Sequence, residues 1–219
     1  MSEIQGVDSF STEPYKVDSG PVEYPLKRTL DILLGTLVIL VSTPLWLLFS
    51  IAIRLEDGAP VFYGQKRVGK NGHIFAILKF RTLLKTADQG VSSWQVPGQK
   101  WVTKVGGLLR QTALDELPQV LSILKGDMSF VGPRAMPVEE FERFKGKIQG
   151  LEQRFLTRPG LTGLAQVYGK ATRDVHAKLR YDLLYIKNQS LWLDIKLIAM
   201  SFWITFQGKW EDRPKKSKD

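Results

Sequence analysis

Two adjacent acidic residues, Asp115 and Glu116, are the strongest candidates for chemistry in this chain. They lie in the run LDELPQVLSILKGD, where Thr112 and Asp115 are suitable cap residues and Pro118 suits a first helical turn. Four leucines at spacings of three, four and three predict one buried helical face: Leu114, Leu117, Leu121 and Leu124. The acidic pair has a purely structural explanation, because the helix dipole favours carboxylates at a helix start.

The same pair can be interpreted as phosphate chemistry. A helix N-terminus attracts phosphate, and an aspartate that attacks phosphorus forms an acyl phosphate, with Mg²⁺ offsetting the repulsion between anions. Such an attack needs surrounding cations. The candidates to bind phosphate oxygens are Lys79, Arg81, Arg110, Arg134 in the loop VGPRAMP and Arg158 in the loop RPGLTG. Taken singly, each of these cations is more often a solvated surface charge.

Composition excludes several other chemistries. The 219 residues contain no Cys, which excludes disulfides, thiolate zinc sites, iron–sulfur clusters and a cysteine nucleophile. The two histidines, His73 and His176, are far apart in sequence, which argues against a histidine metal cluster and a Ser-His triad. A formal net charge of +9 favours an anionic partner, such as nucleic acid, a phosphorylated metabolite or anionic lipid.

The charge is unevenly distributed. Residues 1–26 hold five acidic residues and one basic residue, and they show no apolar periodicity. They predict a flexible polar leader rather than a signal peptide, whose apolar region would come first. Residues 209–219 predict a flexible basic tail.

A long apolar run follows the leader. Residues 32–53 contain no ionisable side chain, and as a helix this run is long enough to cross a hydrocarbon core of about 30 Å. A buried core helix is the alternative. Pro44 predicts a break in the helix, where Ser42 and Thr43 can bond the freed carbonyl groups. Because basic residues flank both ends and positive charge stays on the cytoplasmic side, the pattern favours a re-entrant membrane helix over residues 27–55.

Residues 56–208 are predicted to form a catalytic domain on the cytoplasmic face of the membrane. Within it, residues 61–68 and 73–80 predict a β-hairpin around the pair Asn71-Gly72. The run GQKRVGKN is not a P-loop, because Asn71 stands where Ser or Thr is required and a second strand follows.

Helical patterns dominate the remainder. Residues 141–155 and 173–188 predict a charged and an amphipathic helix. Residues 191–206 are apolar but interrupted by Asp194 and Lys196, which is typical of an interfacial helix or, alternatively, of an ordinary core helix. The predicted fold is therefore α+β: a mostly helical monotopic membrane protein with a re-entrant membrane helix, a small β-hairpin and amphipathic interfacial helices.

Several motifs occur together in a fixed order: LKRTLD, the apolar run broken by Pro44, GAPVFYGQKRVGKNGHIFAILKFRT, LDELPQVLSILKGDMSFVGPR and RPGLTGLAQVYGK. In this the chain resembles the bacterial sugar transferase family, the monotopic polyprenyl-phosphate phosphoglycosyl transferases, and specifically their small single-domain members. The resemblance covers residues 24–208. It implies a location at the bacterial cytoplasmic membrane, a UDP-sugar donor and a polyprenyl phosphate acceptor.

The resemblance also implies roles for individual residues. Asp115 would attack the sugar-bearing phosphate of the donor, expel UMP and carry the phosphosugar to the acceptor, while Glu116 would help Asp115 hold Mg²⁺. Lys79, Arg110 and Arg134 match family positions that bind phosphates or organise the site. The stretch KVGGLLRQTALDELPQ departs from the family at Gly107, Gln111 and Ala113, which puts membrane or nucleotide contacts in doubt but leaves the acidic pair intact.

Two other functions are compatible with parts of the pattern. A non-catalytic membrane scaffold explains the basic charge and the apolar run but not the acidic pair with its arginine loops. A glycosyl transferase that moves only the sugar would release UDP instead of UMP. Nucleic-acid binding is disfavoured because no binding motif accompanies the basic residues. The sequence leaves the identity of the sugar open.

Overall fold

The computed structural model describes residues 23–85, 101–169 and 174–207. Within these ranges the helices are α1 (Lys27–Asp57), α2 (Lys104–Gln111), α3 (Val120–Lys125), α4 (Val138–Phe144), α5 (Leu164–Tyr168), α6 (Val175–Asn188) and α7 (Leu191–Phe206). The strands are β1 (Phe62–Val68), β2 (Ile74–Phe80), β3 (Ser129–Val131), β4 (Met136–Pro137) and β5 (Gly160–Thr162). Short 3-10 helices cover Lys70–Gly72, Leu114–Gln119 and Leu151–Leu156. The α+β, mostly helical class is confirmed.

The predicted β-hairpin is present. β1 and β2 pair antiparallel from Phe62↔Phe80 to Val68↔Ile74, and Asn71 adopts the left-handed conformation, with φ 55°, that Asn tolerates better than most residues. β4 joins the free edge of β1 through Arg67↔Pro137. This pairing brings the hairpin to the chain that follows Arg134.

A second, two-stranded sheet joins the two Pro/Gly loops. β3 and β5 pair in parallel, from Ser129↔Gly160 to Val131↔Thr162. A Cβ on Gly160 would lie 2.0 Å from the backbone N of Gly132, and a Cβ on Gly132 would lie 2.3 Å from the carbonyl O of Arg158. The glycines are therefore required because the two backbones touch.

The long helix α1 runs without interruption through Ser42, Thr43 and Pro44, which differs from the predicted break in helical structure at these residues. Local bonds help to maintain it, since the Thr43 hydroxyl donates to the Ile39 carbonyl at 2.7 Å and Ser42 Oγ accepts from the indole of Trp46 at 3.1 Å. The re-entrant path of the helix stays a prediction.

Two helices expose much of their apolar surface. α1 is long and apolar enough to cross a membrane, and only 17% of its 18-residue window with mean hydropathy 2.3 is buried, which does not fit a core helix. α7 has the bounds predicted for the interfacial helix and exposes large apolar side chains: Trp192, Ile195, Phe202, Trp203 and Phe206. An unshielded apolar surface of this size indicates a partner or a membrane.

Several predicted helices are shorter than expected. The leucines around the acidic pair are half-buried rather than fully buried, because the pattern divides into a 3-10 helix that ends at Gln119 and α3, which begins at Val120. The helix predicted over 141–155 is interrupted between α4 and the 3-10 helix that begins at Leu151, where Gly146 and Gly150 have positive φ. The predicted start at Arg173, residues 1–22 of the leader and the tail lie outside the described residues.

A buried ion pair joins the start of α1 to α7. Lys27 is only 1% exposed, and its Nζ donates to Asp194 Oδ2 at 2.6 Å, to the Tyr185 hydroxyl at 2.9 Å and to the Val131 carbonyl at 2.8 Å. Tyr24, near the end of the predicted leader, also donates to Asp194, at 2.8 Å. Lys27 is therefore part of the protein interior and not of an exposed basic flank.

We expect Lys27→Met to lower the free energy of unfolding by about 3–5 kcal/mol, because it leaves the Asp194 carboxylate buried without its cation. The double variant Lys27→Met, Asp194→Leu should recover a large part of this loss. Thermal unfolding in detergent measures both, with the exposed Lys66→Met as a matched control. Equal stability of Lys27→Met and Lys66→Met would contradict a structural role for the pair.

Candidate active site

A cleft of about 560 Å³ opens between the hairpin, the 3-10 helix Leu114–Gln119, the loop after β3 and helices α4 to α6. Its wall carries an unusual number of charged side chains: Arg67, Lys79, Arg110, Asp115, Glu116, Arg134, Glu140, Arg154, Lys178 and Asp182. The cleft therefore brings together five of the predicted site residues: the acidic pair, Lys79, Arg110 and Arg134.

The backbone before the acidic pair turns sharply. α2 ends at Gln111, the Thr112 hydroxyl donates back to the Leu108 carbonyl at 2.9 Å, and Ala113 adopts the left-handed conformation with φ 55°. For a residue with a Cβ this conformation costs about 1–2 kcal/mol. The turn places Asp115 and Glu116 in the first turn of the following 3-10 helix, as the sequence predicts for a helix start.

Glu116 is held by two cations. Its Oε1 accepts from Lys79 Nζ at 2.5 Å and from Arg134 Nη2 at 3.2 Å. Burial acts to raise the pKa of Glu116, but Arg134 and Lys79 outweigh it and lower the pKa to about 2. Glu116 is therefore ionised at all physiological pH values and fixes the two cations beside the cleft.

Asp115 has the opposite electrostatic environment. Burial, helped by the negative charge of Glu116 and opposed by Lys79 and Arg110, raises the pKa of Asp115 to about 6. Asp115 forms no ion pair with any of the described residues. A carboxylate that is ionised near neutral pH and not neutralised by a bonded cation retains its nucleophilicity.

Two arginines that were not among the predicted site residues, Arg67 and Arg154, organise the Arg134 loop. Arg154 Nη2 donates to the Arg134 carbonyl at 3.0 Å and pairs with Asp182 at 2.8 Å, and Arg67 Nη1 donates to the Ala135 carbonyl at 2.8 Å. For Arg67 a signal was present, because strict alternation along the strand places it on the inward face that contains Gln65. Arg154 had no comparable signal.

Arg81 and Arg158, both predicted to bind substrate, are held elsewhere. Arg81 is buried at the end of α1, where it donates to the carbonyls of Asp57 and Gly58 at 3.1 and 2.7 Å and pairs with the Asp57 carboxylate. Arg158 pairs with Glu23 and donates to the Gly126 carbonyl at 2.8 Å. Neither lines the cleft, because each has structural acceptors distant in sequence.

The donor set at the acidic pair fits Mg²⁺. Both carboxylates line the cleft; Asp115 has no ion pair with the described residues, and Glu116 accepts from Lys79 and Arg134 through Oε1. Within the described residues no three His, Cys, Asp or Glu side chains are grouped so that they could hold a metal by themselves. Mg²⁺ is commonly bound by one or two carboxylates together with substrate phosphates, and this pair matches that arrangement.

Comparison with known proteins identifies the family. Residues 22–208 match the model of the bacterial sugar transferase family, so the chain belongs to it, and the predicted membership is confirmed. The chain is 38% identical over 181 residues to the UDP-N-acetylgalactosamine-undecaprenyl-phosphate N-acetylgalactosaminephosphotransferase of Aeromonas hydrophila, covering 81% of this chain and 43% of that protein.

Two further relatives show the range of the family. The UDP-glucose:undecaprenyl-phosphate glucose-1-phosphate transferase of Escherichia coli K12 is 35% identical, over 84% of this chain and 41% of that protein. The exopolysaccharide production protein ExoY of Rhizobium meliloti is 34% identical, over 81% of this chain and 84% of that protein. The chain thus spans about two fifths of the first two proteins and most of the third.

The two carboxylates should affect stability with opposite signs. The folded-state pKa of Asp115, about 6, exceeds its ordinary 3.8, so ionisation destabilises the fold progressively from pH 3.8 and fully above pH 6. Asp115→Asn should therefore raise the free energy of unfolding at pH 7.5 by about 1–3 kcal/mol. The difference should disappear below pH 4.

Glu116→Gln is the matched comparison. The lowered pKa of Glu116 contributes stability above pH 4.5 that is lost as the pH falls towards 2, so this variant should lower the free energy of unfolding at pH 7.5 by about 2–3 kcal/mol. Thermal unfolding between pH 4 and 8 measures both variants. Shifts of the same sign would contradict the electrostatic division between the two carboxylates.

Proposed function

We propose that the chain is a phosphoglycosyl transferase that moves a sugar-1-phosphate from a UDP-sugar to polyprenyl phosphate through a covalent aspartyl intermediate. The observation that carries this proposal is the pair of adjacent carboxylates in one cationic cleft, of which Glu116 is neutralised by Lys79 and Arg134 and Asp115 is not. A reaction between anions needs a nucleophile that keeps its charge and cations that bind the phosphates, and the cleft supplies both.

In the first step a carboxylate oxygen of Asp115 attacks the phosphorus that bears the sugar. A bond forms between this oxygen and phosphorus, the bond to the bridging oxygen of the diphosphate breaks, and UMP leaves with the electron pair. In the second step an oxygen of polyprenyl phosphate attacks the same phosphorus. The aspartyl–phosphorus bond breaks, which yields polyprenyl-diphospho-sugar and restores Asp115. Both transfers use one site in turn, which is ping-pong logic.

The chain's own cations would stabilise the charge on the transferred phosphate. Lys79 and Arg134, fixed by Glu116, and Arg110, which acts electrostatically on Asp115, line the cleft around the nucleophile. When bound by Asp115 and Glu116, Mg²⁺ would supply neutralisation of phosphate oxygens. Such preorganised charges usually make the largest single contribution to catalysis.

The substrates are inferred from the relatives' names and from the chemistry of the cleft. Relatives are named for transfer to undecaprenyl phosphate from UDP-glucose and from UDP-N-acetylgalactosamine, so the identity of the sugar differs within the family. This transfer would be the first membrane step in making a polysaccharide or another glycoconjugate. We assign the catalytic domain to residues 56–208.

The acceptor requires a membrane. α1 exposes apolar side chains along most of its length, and α7 exposes a second apolar surface. We assign both surfaces to the bilayer, with α1 re-entering the cytoplasmic leaflet as in a monotopic protein and the catalytic domain on the cytoplasmic face. The acceptor phosphate would then reach the cleft from the lipid side.

Nucleotide release tests the function. Protein reconstituted in nanodiscs with Mg²⁺ and a panel of UDP-sugars should release UMP when polyprenyl phosphate is added, and Asp115→Asn should reduce this release by at least about 10³-fold because it removes the nucleophile. Release of UDP would instead indicate a sugar-only glycosyl transferase. Full activity of a folded, membrane-bound Asp115→Asn would contradict the aspartyl intermediate, and no nucleotide from any donor would favour the scaffold function.

The pH profile should identify the nucleophile. Because the pKa of Asp115 is about 6, kcat/KM for UMP release should fall about tenfold per pH unit below pH 6 and be constant above it. Burial also raises the pKa of Asp182 in the cleft to about 6, so Asp182→Asn is the necessary control. Persistence of the acidic limb in Asp182→Asn assigns it to Asp115, and its disappearance would contradict that assignment.

A further inference from the structure

We propose that Arg67 binds the second phosphate of the donor, the phosphate that leaves with the nucleotide. The inference rests on the proposed function and extends it to a residue on the hairpin, on a different wall of the cleft from the acidic pair. The observation behind it is a buried arginine that lines the cleft and pairs with no carboxylate in the described ranges.

The side chain of Arg67 is fixed in place from both ends of its guanidinium. Nη1 donates to the Ala135 carbonyl at 2.8 Å, and Nη2 donates to Gln65 Oε1 at 2.6 Å. The pairing of β1 with β4 at Arg67↔Pro137 sets this position in the backbone. A guanidinium has five N–H donors, and Nε–H has no acceptor among the residues described.

Both acceptors of Arg67 are neutral, which is unusual for a buried cation. Arg67 is only 9% exposed, and a buried charge is normally paired with an opposite charge. Other basic residues of the fold follow this rule, since Arg154 pairs with Asp182, Arg81 with Asp57 and Lys79 with Glu116. Arg67 therefore retains its full positive charge for an anionic ligand.

A second cation, Arg134, further favours the binding of an anion near Arg67. Burial and, after it, the neighbouring positive charge of Arg134 lower the pKa of Arg67 to about 10, while Glu116 and Glu140 only partly compensate. Arg67 is nevertheless protonated at neutral pH. The like charges of Arg67 and Arg134 are stabilised by a diphosphate whose two phosphates lie one near each, and a guanidinium fork suits phosphate oxygens.

The donor has two phosphates, and the cleft has two groups of cations for them. Lys79 and Arg134, beside Asp115 and Glu116, belong to the phosphate that is attacked. Arg67 lies at the Ala135 side of Arg134 and serves the other phosphate. There it would neutralise the negative charge that develops on UMP as the bond to phosphorus breaks.

The test compares nucleotide with nucleoside. Binding of UMP and of uridine to the reconstituted full chain is measured by calorimetry for the wild type, Arg67→Gln and Arg67→Lys, with the exposed strand neighbour Lys66→Gln as the control. Arg67→Gln should weaken UMP about 10- to 100-fold and leave uridine unchanged, because only a charge-assisted bond to phosphate is lost. Arg67→Lys keeps the charge without the fork and should be intermediate. Lys66→Gln should match the wild type.

A second arm distinguishes phosphate binding by Arg67 from positioning of Arg134 by Arg67, because Arg67 also contacts the backbone beside Arg134. In the background of Arg134→Gln, the substitution Arg67→Gln should still weaken UMP binding. The proposal is overturned if adding Arg67→Gln to Arg134→Gln does not weaken UMP binding further. It is also overturned if Arg67→Gln alone leaves the ratio of UMP to uridine affinity unchanged. Should Arg67→Gln fail to fold in a thermal melt, Arg67→Lys carries the same comparison.

A third arm distinguishes the source of the phosphate. If Arg67→Gln releases UMP from the donor at the wild-type rate but discharges the aspartyl adduct to polyprenyl phosphate more slowly, the arginine serves the acceptor, and the assignment to the donor is wrong. A slower release of UMP supports it. A wild-type protein that binds no UMP and releases no nucleotide contradicts the proposed function itself, an outcome visible before any variant is compared.

Discussion

One carboxylate oxygen holds the cleft together. Oε1 of Glu116 accepts from Lys79 on the hairpin and from Arg134 in the loop after β3, so it joins parts of the chain separated by 37 and 18 positions. Each partner is a long side chain that would lose conformational freedom at a cost of about 1.5–2 kcal/mol. A buried anion with two cationic partners offsets this cost because the interactions are charge-assisted. The walls of the cleft meet at this point.

The same interaction contributes to the difference in pKa between the adjacent residues Asp115 and Glu116. Glu116 takes the hydrogen bonds of both cations, whereas burial and, after it, the negative charge of Glu116 raise the pKa of Asp115. Adjacent residues of the same chemical type thus differ by about four pKa units. In the described residues, no further carboxylate or histidine lies close enough to complete a metal site with Asp115 and Glu116. The difference in pKa between the two carboxylates therefore arises beside cationic side chains.

The features that the sequence predicted correctly depend on residues that are close together in the chain. The hairpin and α7 follow from alternation, a turn pair and an apolar run, all of which are read within about twenty residues. The helix start at the acidic pair was also predicted, although the structure begins it after Ala113 without a side-chain cap, and neither predicted cap residue, Thr112 or Asp115, has that role. The roles of Arg81 and Arg158 could not be predicted in this way, because their carboxylate and carbonyl partners lie more than twenty positions away in the chain. Their residue type resembled that of Arg134, and only tertiary contacts distinguish them.

The ion pair of Lys27 and Asp194 spans 167 positions. During synthesis α1 emerges before α7, so the ammonium group of Lys27 meets Asp194 only after α7 has been made. Burying the lysine earlier would leave a charge without a partner. The final position of α1 against the domain is therefore fixed only once α7 is present to supply Asp194.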